Sequence, residues 1–396
     1  MNVLVDTDRQ NRAAARATYI AFIGAGVAMA SWATRIPQVR DGLELTPSRL
    51  GLVLLAIAVG SIVSLLLAGQ LVAHFGSRRT VAAMAALLGI SLSAVAVGYQ
   101  FGVLPVMAGL LFFGFANGAW DVGMNVQGAI VERRLGRAIM PRFHAGFSVG
   151  TVAGALAGAG AVALHVPVTA HLIVTALAIA VVVIFAVRSF VPDTADESAE
   201  PESGGLQRTL STWREPRTLL VGLLVLAFAF AEGTGVDWIS VAVIDDYGAP
   251  ATVGTLAFAV FLAAMTTGRW FGPALLDRYG RVPVVRVLVA VSLVGLALFV
   301  LGTHVVVAFA GALLWGLGAS LGFPVGMSAA ADDPALAAPR VSVVAAIGYC
   351  AFLGGPPLVG FLGDHITVQK GLISVAVLLG LALTVVGALR PIEETR

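Results

Sequence analysis

Residues 104–131 read LPVMAGLLFFGFANGAWDVGMNVQGAIV, 28 residues in which Asp121 is the one ionisable side chain. A helix that crosses the hydrocarbon core needs about 20 predominantly apolar residues. The run is long enough to span, and it carries an acid that it cannot present to lipid. The rest of the chain has the same character. Of its 396 residues, 58% are hydrophobic and 12% charged, whereas a soluble domain has about 25% charged residues. No water-soluble fold of this size hides so much apolar surface. The apolar runs are also too continuous for an outer-membrane barrel, whose strands alternate over about ten residues. The expected class is an all-α polytopic membrane protein.

Twelve spans are expected, at about 17–36, 48–72, 80–99, 104–131, 143–164, 169–190, 218–241, 252–276, 283–303, 305–328, 341–363 and 370–389. The basic start and small residues of the first span mimic a signal peptide. Eleven further spans favour a retained helix. With both termini on the cytoplasmic side, 19 of the 24 Lys and Arg residues fall in cytoplasmic segments, as the positive-inside rule requires. The polar stretch PDTADESAEPESGGLQRTLSTWREPR, 192–217, divides the spans six and six. The expected organisation is a bundle over 1–190, a cytoplasmic linker over 191–217 and a second bundle over 218–396.

Other chemistries find no support. Net charge is +2, and the basic residues flank spans instead of forming a nucleic-acid footprint. Cys350 is the single cysteine, which leaves no internal disulfide and no Cys-based metal site. There is no Walker loop, HExxH motif or nucleophile–base set. No cofactor and no enzymatic activity are expected.

The two halves echo each other at an offset of about 203 residues. VGMN at 122–125 matches VGMS at 325–328, SW at 31–32 matches DW at 237–238 with a slight shift, and GQLVAHFGSRR at 69–79 matches PALLDRYGR at 273–281, Gly76 over Gly280. Six helices repeated in parallel is the layout of a two-lobed transporter whose site is expected between the lobes, near mid-bilayer.

DRYGR after the eighth span resembles the loop signature of the major facilitator superfamily, and the chain resembles that family in layout. NGAWDVGMNVQGAIVERRLGR, FHAGFSVG, AEGTGVDW and GPPLVGFLGD resemble its bacterial YbjJ-like branch, which is related to fucose-permease-type sugar transporters. The resemblance implies two pseudo-symmetric six-helix bundles and alternating access, with helices one, four, seven and ten lining a cavity. Two features depart from the family. Ala73 and His74 stand where the first-half loop has Asp and Arg, and the fifth span lacks the Gly-Pro of drug antiporters. Gly146, Gly150, Gly154 and Gly158 form a packing stripe there instead.

At 100° per residue, Asn117, Asp121 and Asn125 share one stripe of the fourth helix, and Glu132 returns to it. Glu232 stands near mid-depth in the seventh span, where Gly233 and Gly235 suggest local unwinding. Asp121 and Glu232 are candidates for proton coupling. Pairing of Glu232 with Arg269, which lies within the eighth span, is the open alternative. Asn117, Asn125, Trp32, Trp120, Trp238 and Arg269 are candidate solute contacts, although tryptophans also fill cores. Arg35 and Asp237, at similar depths in the first and seventh spans, are a candidate outer gate, with snorkelling of Arg35 as the alternative. By the resemblance, Asp277 approaches the start of the fifth helix, where Pro141 leaves N–H groups open to an anion. With Glu132 and His144 it makes a candidate inner gate.

The expected protein is a monomeric secondary transporter of the bacterial inner membrane. Its expected partners are the lipid bilayer, protons and a small polar or amphipathic solute, with no nucleic acid. Proton-coupled import of a sugar-like compound is favoured. Efflux of drugs or metabolites, and solute sensing by a receptor on a transporter fold, are the alternatives.

Overall fold

A computed structural model describes residues 2–136, 139–193, 211–333 and 336–391. Most of the expected linker, 194–210, lies outside the described residues. The described chain is helical: α1 (Asn2–Ala33), α2 (Ile36–Gly42), α3 (Pro47–Gly98), α4 (Val103–Leu135), α5 (Met140–Ala163), α6 (Val168–Ala186), α7 (Pro216–Asp245), α8 (Ala251–Tyr279), α9 (Arg281–Leu301), α10 (Val305–Ala319), α11 (Gly322–Ala330), α12 (Ala337–His365), α13 (Val368–Gly371) and α14 (Ile373–Val385).

Among the described residues, eleven helical stretches are long and apolar enough to cross a membrane. The difference from the expected twelve lies in α3. Its 52 residues would extend about 78 Å at 1.5 Å each, more than twice a hydrocarbon core of about 30 Å. It is two spans joined at Gly76, whose φ of 79° and ψ of 156° interrupt the helix. Gly280, the matching residue of the repeat, separates α8 from α9 at φ 79° and ψ 166°. Only glycine adopts that backbone region without strain, so the two reversals occur where the repeat places its glycines.

The chain forms two compact units, one of Met1–Leu45 with Leu52–Ala199, the other of Thr46–Gly51 with Glu200–Arg396. Within each, close helix approach depends on absent side chains. On α5, a Cβ at Gly150 would lie 2.3 Å from the Ile23 carbonyl oxygen of α1, and one at Gly26 would lie 2.2 Å from that of Phe147. In the second unit, a Cβ at Gly316 of α10 would lie 2.3 Å from the Phe261 carbonyl of α8. Lipid provides no hydrophobic drive between helices, so such backbone contact supplies the packing energy.

Two of the interrupted spans among the described residues bear on the site. The first turns at Thr34–Arg35 between α1 and α2, and the tenth at Ser320–Leu321 between α10 and α11. Pro324 has no N–H, so the Ser320 carbonyl has no donor four residues on. α7, by contrast, is continuous through Gly233 and Gly235, which corrects the expected unwinding. Those glycines make room for rings. Their Cβ positions would lie 3.1 Å from Phe352 and 2.5 Å from Phe261.

Replacing Gly150 by Val should cost about 1–3 kcal/mol through overpacking. In thermal melts of detergent-purified protein it should lower the transition, while Ala at Gly160, which has open space around it, should not.

Candidate functional site

In the second unit, Glu232 of α7 and Arg269 of α8 meet. Arg269 Nη2 donates to Glu232 Oε2 at 2.7 Å, and its Nε donates to the orphaned Ser320 carbonyl at 3.2 Å. The side chains of Arg269 and Glu232 are 28% and 24% exposed, enough to touch a solute. The alternative left open by the sequence is the arrangement found. Phe352 of α12 lies over Gly233, and Tyr349 stands one turn away with ring centroids 6.2 Å apart. Both rings are half-buried. Pro356 and Pro357 lie inside α12, so the carbonyls of Phe352 and Leu353 lack the N–H of an unbroken helix.

In the first unit, Asp121 is exposed although it sits mid-span in α4. Its partner is Asn125, which donates through Nδ2 to the Asp121 carbonyl at 2.8 Å and to Oδ1 at 3.2 Å. No ion pair to Asp121 occurs among the described residues. Asn117 and Asn125 are half-buried.

Arg35 is 2% exposed and does not snorkel to the surface. Its Nε donates to His171 Nδ1 at 2.9 Å and its Nη2 to the Val166 carbonyl at 3.1 Å, both within its own unit. His171 is therefore protonated on Nε2, an atom buried without a partner among the described residues. Glu132 caps α5, its Oε2 accepting from the N–H groups of Ile139 and Met140 at 2.6 and 2.7 Å. An anion at that helix start is thus supplied by Glu132 from the same unit. Asp277 is exposed on the last turn of α8, Asp237 is half-buried on α7, and His144 is exposed with its ring edge-on to Phe22.

The tryptophans are a clear correction. Trp32 is 2% exposed, and Trp120 and Trp238 are 0% exposed. They fill the interiors of their units. His171, Phe352, Tyr349 and the Ser320 carbonyl were not singled out by sequence reasoning. Pro324 and the Pro356–Pro357 pair were the available signals for the two sets of freed carbonyls. Asp193 was missed as well. It accepts from Ser77 N at 2.5 Å and from Ser77 Oγ at 2.6 Å, securing the helix that restarts after Gly76.

One end of the second unit is tied by charge. Asp332 binds Arg217 at 2.8 Å and Arg281 at 2.6 Å. Glu215 receives two hydrogen bonds from Arg340, one of them Nε to Oε2 at 2.8 Å, and a third from Thr218 at 2.6 Å. The Arg340 hydrogen bonds hold the Glu215 carboxyl below the usual carboxylate range, against a smaller opposing effect of burial.

Helical spans in two units, broken helices and ionisable groups at membrane depth are features of membrane transporters. The Major Facilitator Superfamily profile matches residues 18–348, and the chain belongs to that superfamily. It is 31% identical over 378 residues to an MFS-type transporter of Yersinia pestis, covering 95% of each. Among solved structures it resembles the nucleoside transporter NupG, with a TM-score of 0.73 at 13% identity over 96% of this chain and 98% of that one. It also resembles a D-xylose–proton symporter, with a TM-score of 0.72 at 13% identity over 96% and 97%.

A depressed carboxyl pKa contributes stability that is complete above the unfolded value, about 4.3 for Glu, and lost as pH falls through the folded value. Melting temperature should therefore fall as pH is lowered through and below about 4.3, and Glu215→Gln should show a lower but flatter profile across that window.

Proposed function

We propose that the chain is a proton-coupled importer of a small, neutral, sugar-like solute, working by alternating access in the bacterial inner membrane. The observation that carries proton coupling is Asp121. It is an exposed acid in an apolar span, held by one amide of its own helix and by no cation among the described residues. A bare carboxylate at membrane depth is costly, and a proton is the smallest partner that can relieve it. Glu232 has Arg269 for that purpose, so the proton role falls to Asp121 and the solute role to the pair.

The distribution of basic residues supports cytoplasmic termini. The stretches NGAWDVGMNVQGAIVERRLGR and AEGTGVDW support placement in the YbjJ-like branch. The substrates of NupG and of the D-xylose symporter, a nucleoside and a pentose, are consistent with a hydroxylated ring.

Proteoliposomes loaded at about pH 7.5 and diluted to about pH 6, roughly 1.5 units of inward gradient, should accumulate radiolabelled D-xylose, L-fucose or uridine. Asp121→Asn should abolish accumulation and retain solute exchange at equal pH. Unchanged accumulation in this variant would remove Asp121 from the coupling. Protons and solute moving in opposite directions would make the protein an exporter, and binding without flux would make it a sensor.

A further inference from the structure

We propose that the Glu232–Arg269 pair, with Phe352 seated against the neighbouring Gly233 and Tyr349 next to Phe352, is a subsite that reads a vicinal diol on a neutral ring. The proposal deepens the transport reading and rests on it. Three observations on α7, α8, the α10–α11 break and α12 carry it.

The first is charge balance. Arg269 engages Glu232 through one oxygen, at 2.7 Å, and gives Nε to Ser320. Glu232 Oε1 and Arg269 Nη1 make no hydrogen bond among the described residues. An anion at Arg269 would have to displace Glu232 or crowd two negative charges around one guanidinium. A cation at Glu232 meets the reverse problem. A neutral ligand disturbs neither charge, and the charge-assisted hydrogen bond survives its arrival.

The second is hydrogen-bond polarity. The pair offers an acceptor and a donor side by side, and a hydroxyl is both donor and acceptor. In a vicinal diol, one hydroxyl donates to Oε1 while its neighbour accepts from Nη1.

The third is the ring wall. Phe352 lies against Gly233, where a Cβ would come within 3.1 Å of its Cδ1 and Cε1. The absence of a side chain at Gly233 seats that ring one residue along from the acid. Its half-buried face, with Tyr349 45° to it, suits the apolar C–H face of a saturated ring. An isolated hydroxyl on an open chain would use the pair and waste the wall, whereas a cyclic diol uses both.

Calorimetric titration of the purified full chain tests this with matched probes: D-xylose and its 2,3-di-O-methyl ether, uridine and 2′,3′-dideoxyuridine, and the charged rings benzoate and benzylammonium. At least one diol should bind saturably, and its blocked analogue should bind roughly ten- to hundredfold more weakly, the factor for leaving buried polar groups unmatched. Glu232→Gln and Gly233→Ala should each weaken the diol by a similar factor. Gly233→Ala leaves the ion pair intact and decides the matter if Glu232→Gln fails to fold. No binding of either diol to folded protein, equal binding of the blocked analogues, binding of the charged rings in place of the diols, or full affinity in folded Gly233→Ala would each overturn the proposal. Diol binding that depends on these residues without flux in proteoliposomes would leave the subsite standing and remove the transport reading. Flux of a solute indifferent to both substitutions would do the opposite.

Discussion

Pro324 removes one N–H from a membrane-spanning helix, and much of the second unit's polar architecture follows from that loss. Inside hydrocarbon a backbone carbonyl without a donor costs several kcal/mol, so a partner must come from the protein. Arg269 supplies it to Ser320. A guanidinium within the membrane is costly, and Glu232 on α7 offsets that cost with the opposite charge. The helix break, the cation and the acid are thus successive answers to one missing hydrogen. Removing any member leaves the next unsatisfied, the circumstance in which polar groups within a membrane protein are costly.

The first unit meets the same constraint with different groups. Its broken span ends at Arg35, whose charge is surrounded by neutral acceptors, an imidazole nitrogen and a carbonyl. The restart of helix after Gly76 is secured by Asp193, and the start of α5 by Glu132. These acids occupy helix N-termini, where unpaired N–H groups and the helix dipole favour negative charge. Asp121 has no such arrangement. The repeat therefore preserves the helices and diversifies the charges. Each half has a mid-span acid, at positions that the repeat does not equate: Glu232 is matched by a cation and Asp121 by a single amide. That difference suits a division of labour in which one acid exchanges a proton and the other holds a ligand.

The helical plan was legible because the hydrocarbon core imposes a length on every span. Even the merged α3 conforms, since Gly76 stands where a single helix would overrun the membrane. The glycine stripe on α5 was legible for a similar reason, spacing alone placing Gly146, Gly150, Gly154 and Gly158 on one face. Partners were legible only as alternatives, as for Glu232 with Arg269, or not at all, as for Arg35 with His171. Arg269 lies 37 residues from Glu232, and Arg35 lies 136 from His171. Nothing in a linear reading ranks those matches above the repeat-based pairing of Arg35 with Asp237. The tryptophans misled because an indole N–H suggests polarity, while the ring's bulk gains more from a packed interior. The cap that Glu132 supplies was not legible because the helix start it serves lies beyond its own helix.

A carrier must release what it binds, and a charge-balanced pair helps to explain how a polar site can do so. A lone buried charge that captures an opposite charge gains a large Coulombic energy in a low-dielectric surround, and departure of the ligand then requires that energy back. A pair already satisfied at 2.7 Å gives a neutral ligand only the net worth of a few hydrogen bonds, about 0.5–1.5 kcal/mol each and somewhat more to charged groups. When the ligand leaves, no bare ion remains to be resolvated. Selectivity is retained, because an analogue without the matching hydroxyls forfeits those bonds. In the proposed subsite, the ion pair at Glu232 and Arg269 would combine discrimination with weak holding, and the Ser320 carbonyl, which accepts from Arg269 Nε, would keep the cation in position between ligands.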